Sequence, residues 1–399
     1  MTVLATPSDR RTYVALVVGT AVNALGSGVY LPLSLLVLSG MSGLTVAAVG
    51  VILTLAQLFA LAVMPLVGRG LDHVGAKRVL IVAMAAQAAG FALYPFLTHA
   101  VAFAVVSGVI AVGNQTGKTA RPMVIASLSR DRARDRLLAL NRSLANAGLG
   151  LGGLVLAVSS AVDTGAYALI CWFNAATFLA AALLTVLLRI THAAPSALAR
   201  VRLGGMLADP AYARFLGSTF CASLLYTALT VYIPLYVVRA LDQPTSVAGA
   251  LFVINTTIAA LGGVPVVTMM HRLGMTRVQG ANVGLLLMAA GVAVLPTGHR
   301  LDGSWVTAFV VLAMLVYSVG EVMHSPASSA LSLGAAPEVQ RGRYQARYQA
   351  TMTLGAAVAP AVFTVLLSHR PGAGAAFAAL CGMVGIALMA GTPDAPDVP

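Results

Sequence analysis

Long apolar stretches, separated by short polar segments, make up most of the chain. A helix that crosses the hydrocarbon core of a bilayer needs about 20 mainly apolar residues. Stretches of this kind are predicted as spans 1 to 12, at residues 13–38, 44–67, 78–97, 101–127, 137–161, 164–190, 212–238, 245–270, 277–297, 305–330, 344–368 and 372–391. The pattern therefore predicts an all-α membrane protein with twelve transmembrane helices.

The composition argues against a soluble protein. Of the 399 residues, 59% are hydrophobic and 9% are charged, whereas a soluble domain carries about 25% charged residues. The three cysteines lie in spans far apart in sequence, so neither a disulfide framework nor a metal site is predicted. The chain has no enzyme motif and no extramembrane segment long enough for a catalytic domain. We expect a protein that is not an enzyme and needs no cofactor.

The net charge of +12 is explained by membrane topology rather than by nucleic-acid binding. With the N-terminus in the cytoplasm, every lysine and arginine except Arg239, Arg300 and Arg370 falls on the cytoplasmic side or in a cytoplasmic helix end. Such an excess of cytoplasmic basic residues is typical of inner-membrane proteins. We therefore expect a multi-pass protein of the inner (plasma) membrane with both termini in the cytoplasm and no nucleic-acid partner.

Five features of the first six spans recur in the same order in the last six. The pairs are Tyr30 with Tyr232, Pro65 with Pro265, Gly75 with Gly274, Pro122 with Pro326, and Gly148 with Gly355. Their separations are 202, 200, 199, 204 and 207 residues, which indicates an ancestral duplication with small changes in loop length. We predict six-helix bundles at residues 1–190 and 210–399, joined by a cytoplasmic linker at 191–209. Parallel six-span repeats are a known transporter plan, with the substrate site between the halves.

The connection between spans 2 and 3 contains a glycine- and charge-rich motif that we interpret as a loop. Gly68 permits close helix approach, Gly75 permits a tight turn, and Asp72 suits a helix N-terminus or an ion pair. The motif resembles the Gly-x-Leu-Ala-Asp-Arg-x-Gly-Arg-Lys-x-x-Leu pattern of the major facilitator superfamily. The matching residues are Gly68, Asp72, Gly75, Lys77 and Leu80. Gly70, His73 and Ala76 depart from the pattern.

The resemblance extends over essentially the whole chain and implies the twelve-helix fold of that superfamily. It also implies that the motif latches the two halves of the protein, with Asp72 near the start of span 11. Arg121 and Arg343 are then its candidate partners, and Lys77 or Arg78 supplies the charge of the missing arginine. The alternative interpretation is a basic loop that only sets topology.

Small residues in spans 5 and 11 form a second motif. Gly148, Gly152 and Gly153 resemble the antiporter motif of the superfamily, whose final proline is present only in span 11, at Pro360. That resemblance favours export over import. Close helix packing at Gly148 and Gly355 explains the same glycines without any functional role.

Glu321 is the acidic residue that lies well inside a predicted span, and ionisable residues there are functional candidates by default. His324 follows one helical turn later on the same face. The resemblance implies that spans 4 and 10 face each other, which makes Lys118 and Arg121 candidate counter-charges. We predict that Glu321 carries the coupled proton. The alternative is a fixed salt bridge that holds the halves together.

Polar and aromatic residues inside other spans are candidates for the substrate cavity. They are Asn23, Tyr30, Asn114, Gln115, Tyr226, Tyr232 and Asn255. Each of them is equally compatible with an interhelical hydrogen bond.

The combined prediction is a monomeric, proton-coupled secondary transporter that exports a small lipophilic or cationic drug or metabolite by alternating access. A cavity with one carboxylate and many apolar residues suits such compounds better than sugars. Two alternatives remain: a proton symporter for metabolite uptake, and a non-transporting membrane sensor on the same fold.

Overall fold

The computed structural model of the chain describes residues 7–30, 38, 41, 43–97, 99–158, 164–188, 209–370 and 372–390. Over these residues the regular secondary structure is helical. Apart from Asp209, the predicted linker 191–209 lies outside the described residues.

The helices of the first half of the chain correspond to predicted spans 1 to 6. They are α1 Pro7–Tyr30, α2 Val46–Val74, α3 Ala76–Leu93, α4 Ala100–Leu128, α5 Asp131–Val158 and α6 Thr164–Val186. A short 3₁₀ helix, Tyr94–Phe96, extends α3. The Thr45 hydroxyl accepts a hydrogen bond from the Ala48 N–H at 3.2 Å and so caps the start of α2.

The helices of the second half correspond to spans 7 to 12, with span 7 in two pieces. They are α7 Pro210–Ala228, α8 Tyr232–Arg239, α9 Thr245–Arg272, α10 Arg277–Ala293, α11 Ser304–Gly334, α12 Arg341–His369 and α13 Ala373–Met389. The interruption between α7 and α8 has a chemical reason: Pro234 has no N–H to donate to the carbonyl of Thr230.

Ten helical segments within the described residues are long and apolar enough to cross a membrane. The segment Pro210–Arg239, which contains α7 and α8, counts as one of them. The helix α13 is apolar but has only 17 residues, and α5 is polar over its first half. The chain is thus an all-helical protein with many candidate spans, and the number twelve remains a prediction.

The motif between spans 2 and 3 is not the loop that we expected. Gly68 to Val74 belong to α2, and α3 begins at Ala76. The turn is made by Gly75 alone, whose φ of 94° lies in the region that favours glycine. One residue with this backbone conformation is enough to reverse the chain, so the motif residues are presented on helices.

The chain divides into two compact units. The first unit contains Met1–Arg134, Leu144–Ser196 and Pro337–Gln349, and the second contains Asp135–Ser143, Ala197–Ala336 and Ala350–Pro399. Each unit therefore includes a short helical segment from the other half of the sequence. The boundaries predicted above for the six-helix bundles, at residues 1–190 and 210–399, remain a prediction.

The helices of each unit pack in the same order. In the first unit α1 packs on α6, α6 on α3, α3 on α4, and α4 on α2. In the second unit α7 packs on α13, α13 on α10, α10 on α11, and α11 on α9. This equivalence agrees with the repeated motifs in the sequence. The two units thus share one order of helix packing.

Glycines allow α10 and α11 to approach closely beside the main candidate site. A Cβ placed on Gly320 would lie 2.6 Å from the Gly284 carbonyl oxygen, and one on Gly284 would lie 2.6 Å from the His324 nitrogen. The backbones are therefore close enough that neither position has room for a side chain. This contact holds Glu321, the next residue, at a defined depth in the second unit.

Candidate functional site

Glu321 lies in the interior of the second unit, where both carboxylate oxygens have partners. Its residue is 5% exposed. Oε1 lies 3.1 Å from Arg142 Nη2, and Oε2 accepts a hydrogen bond from Asn255 Nδ2 at 2.9 Å. Asn255 also donates to the Ser318 hydroxyl at 3.1 Å. A cation and an amide donor thus both bond to this carboxyl group, and charge-assisted bonds are the stronger kind.

Arg142 is more exposed than the carboxylate that it pairs with. It lies in the Asp135–Ser143 segment of α5, which belongs to the second unit. Its side chain is 48% exposed, whereas that of Glu321 is 7% exposed. The guanidinium also lies 5.9 Å from the centre of the Tyr226 ring, within cation–π range. The ion pair thus joins a buried acid to a cation that reaches it from an exposed side.

His324 extends the site by one helical turn. Its Nδ1 lies 2.8 Å from the Tyr226 hydroxyl, and the two rings meet edge to face at 5.7 Å. The residue is 1% exposed. Within the described residues, His324 Nε2 has no hydrogen-bond partner. The Tyr226 side chain therefore contacts both the histidine and the arginine of the site, and we name Arg142, Tyr226, Asn255, Glu321 and His324 the Glu321 cluster.

The Glu321 cluster brings a buried carboxylate, a guanidinium, an amide, a phenol and an imidazole together within one unit. Each oxygen of the carboxylate is engaged, one by the guanidinium and one by the amide.

The two cations predicted to balance Glu321 belong to the other unit, and their pairing with it remains a prediction. Lys118 and Arg121 are in α4, within the first unit. Arg142 was not among the residues predicted from the sequence, because it was counted as part of a cytoplasmic helix end. A signal was available: Arg142 lies inside predicted span 5, and an arginine at that depth is itself a functional candidate.

Asp72 binds the start of α12 within the first unit. Its Oδ1 accepts a hydrogen bond from the Gly342 N–H at 2.6 Å, and Oδ2 lies 3.3 Å from Arg343 Nε. A carboxylate at a helix N-terminus satisfies an N–H that the helix leaves unpaired. A Cβ on Gly68 would lie 2.9 Å from the Arg343 Cα, so this glycine is what lets the two helices meet.

The basic residues of the same motif, Lys77 and Arg78, do not share the contact of Asp72 with α12 described above. Lys77 Nζ donates to the carbonyl oxygens of Val186 at 2.9 Å and of Leu188 at 2.7 Å, at the C-terminal end of α6. Lysine at a helix C-terminus stabilises its unpaired carbonyl groups. Arg78 is exposed. The motif thus ties together α2, the end of α6 and the start of α12.

A second charged group, in the second unit, was missed in the sequence. Asp135 at the start of α5 lies 3.1 Å from both His271 Nε2 and Arg277 Nε. All three side chains are at most 15% exposed. The sequence contained a signal: His271 is 199 residues after Asp72. The repeated glycines Gly75 and Gly274 have the same separation.

The candidate cavity residues are placed in different environments. Tyr30 and Tyr232 are core residues, 7% and 0% exposed, and pack against Phe91 and Phe363 respectively. Asn23 and Asn114 are partly buried in α1 and α4. Tyr226 and Asn255 belong to the Glu321 cluster. Gln115 contacts two other glutamines, described below.

The candidate packing residues include one pair in equivalent contacts. A Cβ on Gly148 would clash with the backbone of Ala24 in α1, and a Cβ on Gly355 would clash with Ser223 in α7. Both glycines therefore permit a helix to pack closely on the first helix of its unit. Gly152 and Gly153 lie in α5, and Pro360 lies inside α12.

Comparisons with known proteins connect this arrangement to transporters. The sequence profile of the Major Facilitator Superfamily matches residues 16–313 and 215–398. The multidrug resistance protein MdtH of Aeromonas salmonicida is 25% identical over 336 residues, which cover 83% of this chain and 81% of MdtH. The MdtH protein of Aeromonas hydrophila is 24% identical over 334 residues, with the same coverage.

Solved structures of similar fold include three transporters. The human organic anion transporter MFSD10 (TETRAN) has a TM-score of 0.75 at 17% identity, covering 96% of this chain and 100% of MFSD10. A bacterial homologue of the iron transporter ferroportin, in an outward-facing state, scores 0.74 at 14% identity, covering 94% and 99%. The proton:xylose symporter XylE scores 0.72 at 17% identity, covering 97% and 96%. At these identities the similarity shows the fold alone.

Proposed function

The chain belongs to the major facilitator superfamily, and we propose that it exports a small lipophilic or cationic molecule in exchange for protons. Membership in this family, together with the many apolar helices, makes the protein a multi-pass membrane transporter. The family uses two repeats that rock around a central site. Three further properties belong to the proposal: the coupled ion, the direction of transport and the class of substrate.

The observation that carries the proposal is the burial of an ionised pair around Glu321. A carboxylate inside an apolar unit is costly unless it has a task or a full set of partners. Here the partners of the carboxylate are an amide and a half-exposed arginine, so one added proton weakens the pair with the arginine. A proton site whose occupancy moves a neighbouring side chain is what coupled transport requires.

The proposed direction and substrate class rest on weaker support. The MdtH relatives are called multidrug resistance proteins. The glycine motif in α5 resembles that of antiporters. These two features together favour export of lipophilic or cationic compounds.

The Asp72 contact supplies a latch for alternating access. The hydrogen bond from Gly342 to Asp72 holds the first turn of α12 in the first unit. In the proposed cycle this contact forms and breaks as transport proceeds.

The protein acts as a monomer in the plasma membrane. Both termini lie in the cytoplasm, in agreement with the distribution of its basic residues. A reporter fused to either terminus tests that orientation.

The test of the proposed function measures proton movement in vesicles. Proteoliposomes are loaded with a pH-sensitive dye and one of three compounds: tetraphenylphosphonium, ethidium, or xylose as a hydrophilic control. Efflux of a compound by antiport brings protons in, so the lumen acidifies whichever way the protein is inserted. We expect acidification with the two lipophilic cations in the wild-type protein. We expect none above that of protein-free vesicles in Glu321→Gln.

The control variant is Asp302→Asn, which also converts an acid to an amide but lies on an exposed connection. It is expected to behave as wild type. Acidification by Glu321→Gln at the wild-type rate would place the proton site elsewhere. Alkalinisation of the lumen would indicate symport and an uptake role. Movement of a compound with no pH change would indicate transport without a coupled proton, and no movement of any compound would contradict the proposed export.

A further inference from the structure

Three glutamines form a chain of amide hydrogen bonds in the first unit. Gln349 Nε2 donates to Gln115 Oε1 at 3.1 Å, and Gln115 Nε2 donates to Gln57 Oε1 at 3.2 Å. We call these residues the amide chain. Gln115, in the middle, is 4% exposed, so its orientation is fixed from both sides. The amide chain therefore also orients the side-chain amide of Gln57. Its oxygen accepts the bond from Gln115, so its NH₂ group points away from Gln115.

Gln57 is exposed although it lies inside the apolar helix α2. Other exposed residues of this helix, such as Leu55 and Phe59, are large and apolar, as expected for contact with lipid. At 3.6 residues per turn, Gln57 points about 160° away from both of them but only about 100° away from Leu58, which is also exposed. The exposed amide therefore lies at one edge of the exposed surface of α2 and points away from its centre. Within the described residues no protein acceptor is found for its nitrogen.

Two other residues show that this side of α2 is open and polar. Gly50 lies seven residues before Gln57 and hence on the same face, and a Cβ placed on it would meet nothing within 4 Å. Thr54, between them, is exposed, and its hydroxyl donates to the Gly50 carbonyl at 2.9 Å. Its oxygen retains acceptor capacity. We name Gly50, Thr54 and Gln57 the polar face of α2.

We propose that the polar face of α2 binds an uncharged carbonyl group of the transported molecule through the NH₂ group of Gln57. The amide chain and Thr54 contain no ionisable group, so a neutral ligand needs no counter-charge there. An amide nitrogen donates hydrogen bonds, and a ketone, ester or amide oxygen accepts them. Gln115 and Gln349 act as positioning residues, which hold the donor in place before the ligand arrives.

This inference rests on the proposed export of a small molecule, but its test requires neither a proton gradient nor Glu321. The reporter is a cysteine at Thr54, which leaves Gln57 intact, and the comparison is a cysteine at Phe59. The native cysteines are buried and provide the background measurement. A charged methanethiosulfonate reagent reacts with thiolate in water, so we expect Thr54→Cys to react roughly 10-fold faster than Phe59→Cys.

The second arm identifies the chemistry of the ligand. Benzophenone and 1,1-diphenylethylene have nearly the same shape, but one has a carbonyl where the other has a CH₂ group. One hydrogen bond is worth about 1 kcal/mol, so we expect benzophenone to slow the labelling of Thr54→Cys at about 5-fold lower concentration. Adding Gln57→Leu is expected to abolish that difference. Gln87→Leu is the matched control, because Gln87 is a buried amide that bonds to its own helix at the Ala83 carbonyl.

Two results would overturn the inference. The first is labelling of Thr54→Cys no faster than that of Phe59→Cys, which would show that the polar face is not reached by water. The second is equal protection, or no protection, by the two compounds, which would remove the role of the carbonyl. The same labelling pattern is expected in Glu321→Gln. A failure of proton coupling is therefore detected by the vesicle pH assay, whereas a failure of this site is detected by cysteine labelling.

Discussion

The amide chain of the first unit and the Glu321 cluster of the second have equivalent bonding patterns on corresponding helices. Three pairs of residues are compared: Gln57 and Asn255, Gln115 and Glu321, and Arg142 and Gln349, which are separated by 198, 206 and 207 residues. The third separation equals that of Gly148 and Gly355 on the same helices, whereas the first two differ by two residues from those of the prolines on their helices. In each unit the central residue bonds to both of the others. The first unit has three neutral amides, whereas the second has an amide, a carboxylate and a guanidinium. The bonding pattern is thus common to both units, and the ionisable members belong to the Glu321 cluster.

The same asymmetry recurs near the helix ends. In the first unit the acid is Asp72 on α2, which binds the start of α12. In the second unit the equivalent position on α9 is His271, and the acid is Asp135 at the start of α5. Both contacts join a helix end to the beginning of another helix, with the acid on opposite partners. We infer that the two contacts have similar geometry but carry the acid on different helices, on α2 in the first unit and on α5 in the second.

The largest effect is expected when a carboxylate is placed in the amide chain. Gln115→Glu replaces a buried amide with a carboxylate whose two partners are neutral amides, and an uncompensated buried charge costs about 3–5 kcal/mol. We expect a clear loss of thermal stability in detergent at neutral pH, measured by scanning fluorimetry. Adding Gln349→Arg recreates the pair found in the second unit and is expected to restore most of the loss. No recovery in the double variant would contradict the equivalence of the two sites.

The next effect concerns the two members of the existing ion pair. Arg142→Gln leaves a buried carboxylate without its cation, whereas Glu321→Gln leaves an arginine that is already half-exposed to solvent. We expect Arg142→Gln to lose about 3 kcal/mol at neutral pH and Glu321→Gln to lose less. The measurement is the midpoint of thermal unfolding in detergent, and equal losses in the two variants would show that the ion pair is not important for stability.

The smallest effect compares the two equivalent glycines. A methyl group on Gly148 meets the backbone of Ala24, which cannot move without shifting α1. A methyl group on Gly355 meets the Ser223 hydroxyl, which can rotate away, and the Ser223 Cβ at 2.8 Å, which is a milder contact than that with the Ala24 backbone. Overpacking costs about 1–3 kcal/mol, so we expect Gly148→Ala near that range and Gly355→Ala below it. The measurement is the midpoint of thermal unfolding, and the reverse order would contradict the packing described for α5 and α12.

The elements that depend on local sequence were predictable. The helices follow from apolar length, the one-residue turn follows from Gly75, and the equivalence of Gly148 and Gly355 follows from the repeat. Two details of the fold were not predicted. Pro234 lies inside an otherwise continuous apolar run, so its effect on α7 and α8 was hidden by hydropathy. The motif from Gly68 to Val74 is polar enough to suggest a loop, but its residues are held in α2 by contact with α12.

The candidate site was predictable only in part. The depth of Glu321 follows from its place in an apolar span, and the position of Asp72 near the start of α12 follows from the family resemblance. The pairing of Glu321 with Arg142 depends on which segment of α5 packs in the second unit. That choice is made by tertiary contacts between residues 179 positions apart. Periodicity along the chain carries no information about such a pairing.

The most direct test of the central claim compares two kinds of transport by Glu321→Gln in the same proteoliposomes. One is accumulation of tetraphenylphosphonium driven by an imposed proton gradient, and the other is exchange of labelled for unlabelled compound without a gradient. If Glu321 carries the coupled proton, accumulation is lost and exchange continues. Accumulation at the wild-type level, or loss of exchange together with accumulation, would contradict the assignment of Glu321 as the proton site.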